Sequence, residues 1–365
     1  MRNNINIRKV FRPVVLTLTA IAVVIPTACC RHEVPAENAI LMSARQDETT
    51  RAVINEKNDL GRQSVSDGAG FGVYGYKTAN YNVVGEEIET QVFSNTKVTA
   101  TGSDDNYNWS YSPLKYWDAV TYYRFVAYWP HTSETPSADE EYVSHNETNH
   151  IITLRNLPCW QEVDSSENDW LISTSRKYAS QYITQDNGYV RFHFQHLLAR
   201  IEIKAWYWGR EEKKPEITEL NIGNSTYKVP ADTAKTTVSR DYATALSSNS
   251  WGSITYADSM KLADTTLINA YSDYEDEAPE NIDLVCEWLV VPFSATGCPL
   301  TLRYKIDGVS FDPVTLDASL GAIESGKKYT LIFKFNTVTN SLVLEELLVK
   351  DWVDSGNSYK DVHNW

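Results

Sequence analysis

Short runs in which apolar and polar residues alternate, each bounded by turn formers, recur along most of this chain of 365 residues. Successive side chains of a strand point to opposite faces, so a period of two describes a sheet with one face in a core. A first series comprises residues 39–44, 71–77 (FGVYGYK), 91–99 (QVFSNTKVT), 109–117, 122–129 (YYRFVAYW), 150–157 and 170–178. A second comprises residues 189–205 (YVRFHFQHLLARIEIKA), 217–229, 266–272, 284–293, 300–306, 328–336 and 341–353. No segment sustains a helical period; residues 258–270 have room for one short helix. Many short strands with turn signals between them predict an all-β chain of sandwiches or barrels. The 22 Tyr and 11 Trp fit pleated sheets.

The turn Gln185-Asp186-Asn187-Gly188 separates the two series. It predicts an N-terminal β-sandwich over residues 29–186 and a C-terminal one over residues 187–365, each burying the inner faces of two sheets. Such a division also follows from length, since a single core rarely grows to this size.

Residues 1–28 have the layout of a secretory signal peptide. Arg2, Arg8, Lys9 and Arg12 precede the apolar residues 14–25, and Thr27-Ala28 are small residues before Cys29. A spanning helix needs about 20 apolar residues, more than this run provides. Cys29 is the residue that an exported lipoprotein would have acylated, palmitate included, although Pro26 stands where a lipobox has Leu. Several acyl chains suffice for stable membrane attachment. The formal net charge of −15 argues against a nucleic-acid binder and suits a solvated exported surface.

Candidate chemistry is sparse. His193-x-x-His196 would place two imidazoles on one side of a helix, but in a strand an odd offset sends them to opposite faces. His131, His145 and His150 share an acidic loop whose spacing matches no zinc pattern. Gly68-Ala69-Gly70 opens onto a strand, not onto the helix a phosphate loop requires. The acidic residues between Asp273 and Asp283 lack the glycine and glutamate of a calcium loop, and no G-x-S-x-G elbow occurs. The chain therefore reads as a non-enzyme with no cofactor and no metal site. Trp206 and Trp208 share one strand face and offer the alternative of a cell-surface glycan-binding lipoprotein. Residues 284–293 and 300–306 read as a hairpin that holds Cys286 and Cys298 about 20 Å apart, too far for a disulfide. The stretch NSLVLEELLVKDWVD reads as the hairpin partner of the strand before it.

Several segments, taken in order, resemble the fimbrillin (Mfa-like) pilin lipoproteins of Bacteroidales-type bacteria. They are TRA at residues 50–52, FGVYGY at 71–76, VFSNTKVT at 92–99, W-x-Y-x-P-x-K-Y-W at 109–117 and YRFVAYWP at 123–130. DWLIS at 169–173, FHFQHLLARIEI at 192–203, LVVPFS at 289–294 and GKKYTLIFKF at 326–335 continue the series. The resemblance implies two tandem transthyretin-like Greek-key β-sandwich domains. It also implies export to the outer membrane, incorporation into a surface fimbrium with other subunits, and support of cell adhesion. A trypsin-like Arg/Lys-specific protease would cut after the first strand, and a strand from another subunit would fill the groove left behind. Mapped here, the removable strand is Ala39, Ile40, Leu41, Met42, Ser43 and Ala44. The cut falls at Arg51, with Arg45 as runner-up, and the donor strand contains Leu342, Leu344, Leu348 and Trp352.

Overall fold

The computed structural model describes residues 38–46, 59–79, 89–103, 106–133, 136–137, 140–163, 169–243 and 248–352. These residues are all-β apart from two short helices, as the alternation predicts. In chain order the elements that matter most are β1 (Leu41–Gln46), α1 (Asp59–Asp67), β2 (Phe71–Thr78), β3 (Thr90–Ser103) and β4 (Asn106–Ser110). Then come β5 (Tyr122–Trp129), β6 (Tyr142–Asn146), β7 (Ile151–Pro158), β8 (Trp160–Glu162), β9 (Leu171–Tyr178), α2 (Ala179–Gln185), β10 (Tyr189–His196) and β11 (Ala199–Trp208).

The first sheet has seven strands in the order β1-β10-β9-β5-β2-β3-β4. Its central strands β2 and β5 are buried on both faces, which explains why FGVYGYK and YYRFVAYW carry so little polarity. On one face Phe71, Val73, Phe125 and Trp129 enter a core with Phe192 and Phe194 of β10. On the other, Tyr74, Tyr76, Val126 and Tyr128 enter a second core shared with Val143, Ile152 and Val238. The two outermost strands approach each other, because Tyr111, just past β4, donates its hydroxyl to the Ile40 carbonyl at 2.7 Å. The sheet thus rolls around its first core, and Leu60 of α1 is buried in that same core.

Residues 189–205, read as one run, are two strands in different sheets. In β10 the buried positions are even-numbered, Val190, Phe192 and Phe194. In β11 the positions facing the second core are odd-numbered, Ile201, Ile203, Ala205 and Tyr207. The buried pair Leu197-Leu198 resets the phase between them. β10 stays in the first sheet although it follows the turn at residues 185–188, and β11 is the centre of the second. That second sheet runs from strand Ser341–Asp351 through Lys327–Asn336, β11 and Asp283–Val290 to β8. The second core therefore takes side chains from both sides of residue 186.

Four further expectations are corrected. Residues 258–270 contain no helix; Met260–Ala263 and Thr266–Leu267 are strands, with Met260 and Leu262 buried around an exposed Lys261 at period two. Strands Asp283–Val290 and Pro299–Ile306 are not hairpin partners, since the first pairs with β11 and β8 and the second with Pro215–Ile222 in a separate sheet. The stretch between them crosses from sheet to sheet. β6 lies where a loop was expected, and within residues 109–117 only the first two continue a strand, β4. Cys159, Cys286 and Cys298 are buried free thiols. No helix among the described residues is long and apolar enough to cross a membrane.

Candidate functional site

The first strand, expected from the resemblance to be removable, is seated at the outer edge of the first sheet, and its sequence explains the seat. Ile40 and Met42 are fully buried in the first core, while Leu41, Ser43 and Ala44 are half-buried. Burying two such side chains contributes roughly 3–6 kcal/mol before any backbone bond is counted. β1 runs parallel to β10, with Leu41 opposite Tyr189, Met42 opposite Val190 and Ala44 opposite Phe192. The pairing continues through Arg45 opposite His193 to Gln46 opposite Phe194. Arg45 is therefore inside the ladder.

The three residues before β1 are held by a different partner. Ile40 donates its N–H to the Lys115 carbonyl at 2.9 Å, and Trp117 donates its own to the Asn38 carbonyl at 2.9 Å. Ala39 and Tyr116 form an antiparallel bridge. The Trp117 indole donates to the Gly188 carbonyl at 3.2 Å, and that same carbonyl accepts the Leu41 N–H at 3.0 Å. Gly188 has φ of +82°, and a Cβ there would lie 3.3 Å from the Ala39 carbonyl oxygen. Glycine supplies both the left-handed turn and the close approach. Burial pushes the Tyr111 hydroxyl up to about 12, against the Lys115 backbone bond, so it is a protonated donor.

The proposed donor strand is also seated in its own fold. Ser341–Asp351 pairs antiparallel with Lys327–Asn336 along its whole length, the hairpin expected from the sequence, with a bulge near Glu345. Leu342 and Trp352 are buried, Leu344 and Leu348 half-buried. Trp352 donates its backbone N–H to the Gly326 carbonyl at 2.6 Å. Its ring stacks on His196. His196 in turn lies 2.9 Å from the Asp169 carboxylate, and Arg200 pairs with Glu287 beside it. Burial raises the Glu287 carboxyl and the Arg200 guanidinium opposes that rise.

Other sequence-marked residues are structural. His193 is exposed and His196 buried, on opposite faces as the strand requires. His145 stacks on Tyr74 at 4.3 Å with Nε2 3.0 Å from the Tyr242 hydroxyl. His150 stacks on Tyr76 at 4.2 Å and pairs with Glu89, which also receives the Arg124 guanidinium at 2.6 Å. Among the described residues no cluster of His, Cys, Asp and Glu could hold a metal ion. Trp206 is fully buried and donates its indole N–H to Glu345 at 2.6 Å; Trp208 is half-buried. The segment that sequence reasoning missed is 111–117, whose alternation resembles a strand but which serves residues 38–40 instead. Cys29 and Arg51 lie outside the described residues.

The sequence profile of a family described as fimbrillin-like matches residues 50–352. A solved structure of a fimbrial protein from Bacteroides vulgatus ATCC 8482 is similar in fold, with a TM-score of 0.56 and 17% identity over 86% of this chain and 99% of that one. A candidate cell adhesion protein from Bacteroides uniformis ATCC 8492 aligns with a TM-score of 0.49 and 16% identity, covering 87% of this chain and 99% of that one. No protein of curated function matches the chain in sequence.

Proposed function

The chain belongs to the fimbrillin-like family, and on that premise we propose that it is a structural subunit of a surface fimbrium assembled by strand exchange. The family is one of fimbrial and adhesive proteins, not of enzymes. In this reading the chain is exported behind residues 1–28, acylated at Cys29 and anchored in the outer membrane. A trypsin-like protease then cuts at Arg51, the strand containing Ile40 and Met42 leaves, and an extended strand from another subunit takes its place. In the same reading the chain comprises two tandem transthyretin-like sandwiches, residues 29–186 and 187–365.

The observation that carries the reading is the seat of β1. It is an outermost strand whose two large apolar side chains, Ile40 and Met42, enter a core shared with side chains of β2, β3, β5, β9, β10 and both helices. Its departure would leave an apolar groove beside the free hydrogen-bonding edge of β10. An incoming strand satisfies both demands at once, through backbone bonds and side-chain pockets. Arg51 is favoured over Arg45 because Arg45 is paired with His193 and would have to leave the ladder to enter a protease. Donation by Leu342, Leu344, Leu348 and Trp352 would require Ser341–Asp351 to unzip from its own sheet. The glycan-binding alternative loses its platform, because Trp206 is buried.

Brief trypsin treatment of the mature chain, followed by sequencing of the new amino terminus, tests the reading. A terminus at Ala52, followed by oligomers that survive mild denaturation, is the expected result. An Arg51→Ala chain that assembles as well as the parent would overturn it. A Cys29→Ser chain that still fractionates with the outer membrane would remove the lipid anchor.

A further inference from the structure

The grip on the first strand is uneven along its length. Among the described residues, the backbone of 41–46 pairs on one edge only, with β10. Residues 38–40 are held from the other side, by segment 111–117: the Asn38 carbonyl receives the Trp117 N–H, the Ile40 N–H reaches the Lys115 carbonyl, and the Ile40 carbonyl receives the Tyr111 hydroxyl. The Tyr111 hydroxyl also accepts the Lys115 N–H at 3.3 Å, so it is positioned by the segment it closes. Trp117 anchors that segment, stacked on Tyr182 of α2 at 4.7 Å and bonded to Gly188. Tyr111 itself packs edge-on against Phe93 at 5.2 Å.

We infer that residues 111–117 form a clasp that keeps the first strand seated after the backbone behind it is cut, so that exchange begins at the Gln46 end and finishes at Ile40. This rests on the strand-removal reading and adds its control step. A cut beyond Gln46 frees the end that is held on one edge. The end at residues 38–40 stays tied on its far side, and fraying proceeds toward it. An incoming strand therefore gains its first pairs opposite Phe194 and Phe192 and displaces the old strand pair by pair. The clasp is the last contact to change hands. It also limits what can be seated, because the position taken by Ile40 must offer both an N–H to Lys115 and a carbonyl to Tyr111. Proline at that position supplies no N–H and is excluded.

The test follows the fate of the severed strand. The mature chain is cut briefly with trypsin, an excess of a peptide of residues 38–46 is added as the invading strand, and loss of the original fragment is timed by size-exclusion chromatography and mass spectrometry. Tyr111→Phe keeps the ring against Phe93 and removes only the hydroxyl; Trp117→Phe keeps an aromatic ring and removes the indole N–H. Each variant is expected to lose its fragment about fivefold faster than the parent, the effect of one hydrogen bond of ordinary net strength. A peptide with proline at the Ile40 position is expected not to displace the fragment. Thermal melts of the uncut variants show that they are folded. Equal release from parent and variants overturns the clasp and leaves strand removal standing. Absence of any cut between Arg45 and Ala52 overturns strand removal, and the clasp with it.

Discussion

The indole of Trp352 lies flat on the imidazole of His196, with ring centroids 3.8 Å apart and planes 6° from parallel. His196 ends β10, the strand on which β1 is seated. The end of the proposed donor segment is thus fastened to the end of the acceptor sheet within one molecule. The Arg200 guanidinium approaches the same indole, 5.9 Å from the ring centroid.

Trp352→Ala is expected to destabilise the chain by about 3–5 kcal/mol, as for other buried aromatic truncations. Urea unfolding monitored by circular dichroism measures it. A loss below about 1 kcal/mol would mean that Trp352 leaves this site freely, as a mobile donor segment should.

Met42→Ala in the uncut chain is expected to cost about 2–4 kcal/mol, because it opens a cavity beneath a fully buried position. Leu41→Ala, at a half-buried position of the same strand, is expected to cost clearly less. Equal losses at the two positions, read in the same unfolding assay, would contradict the alternation described for β1.

Gly72→Ala should destabilise by about 1–3 kcal/mol. A Cβ there would lie 2.4 Å from the Tyr128 ring, which is itself buried between strands. Differential scanning calorimetry of the variant provides the check, and Gly308→Ala, where the added carbon meets nothing within 4 Å but φ is +75°, isolates backbone strain from crowding.

His145 gives the pH dependence its sign. Burial, reinforced by His150, lowers its imidazole to about 4. The folded state therefore disfavours the proton relative to the unfolded chain. The stability that follows is complete above about 6.5, the unfolded value, and is lost as pH falls toward 4. The melting temperature should decline across that window. His145→Gln, which retains a partner for the Tyr242 hydroxyl, should flatten the decline; an unchanged slope would assign the acid sensitivity elsewhere.

Much of the first sheet is legible in the chain itself. YVRFHFQH alternates strictly and becomes a strand with one face in a core, and the two strands without alternation, FGVYGYK and YYRFVAYW, are those buried on both sides. The step at Leu197-Leu198 was not legible, because two adjacent leucines extend an apolar run without announcing a change of phase. The separation of Asp283–Val290 from Pro299–Ile306 was hidden for a related reason. Two apolar runs around a Gly-containing turn satisfy the hairpin pattern, and only the pairing partners elsewhere in the chain decide otherwise. α1 escaped notice because DLGRQSVSD is short and mostly polar, with Leu60 its one fully buried apolar side chain. At the candidate site, residues 39–44 were readable as a strand, but the apolar run AILM did not reveal that Ile40 and Met42 are its buried pair. The role of residues 111–117 was not, since it depends on contacts across the seam of a rolled sheet.

The passage from β10 to β11 through two buried leucines has a mechanical consequence. In the proposed fimbrium a subunit transmits tension, and the covalent chain itself links the first sheet, which would receive a neighbour, to the second. β11 lies between a parallel neighbour, Lys327–Asn336, and an antiparallel one, Asp283–Val290. Tension that reaches β11 along its length would load both sets of hydrogen bonds together in shear, and they would not open singly like a zipper. β1, frayed from one end, opens singly. In the proposed assembly, β11 would thus resist tension between two paired neighbours while β1, paired on one edge, would be the strand that exchanges.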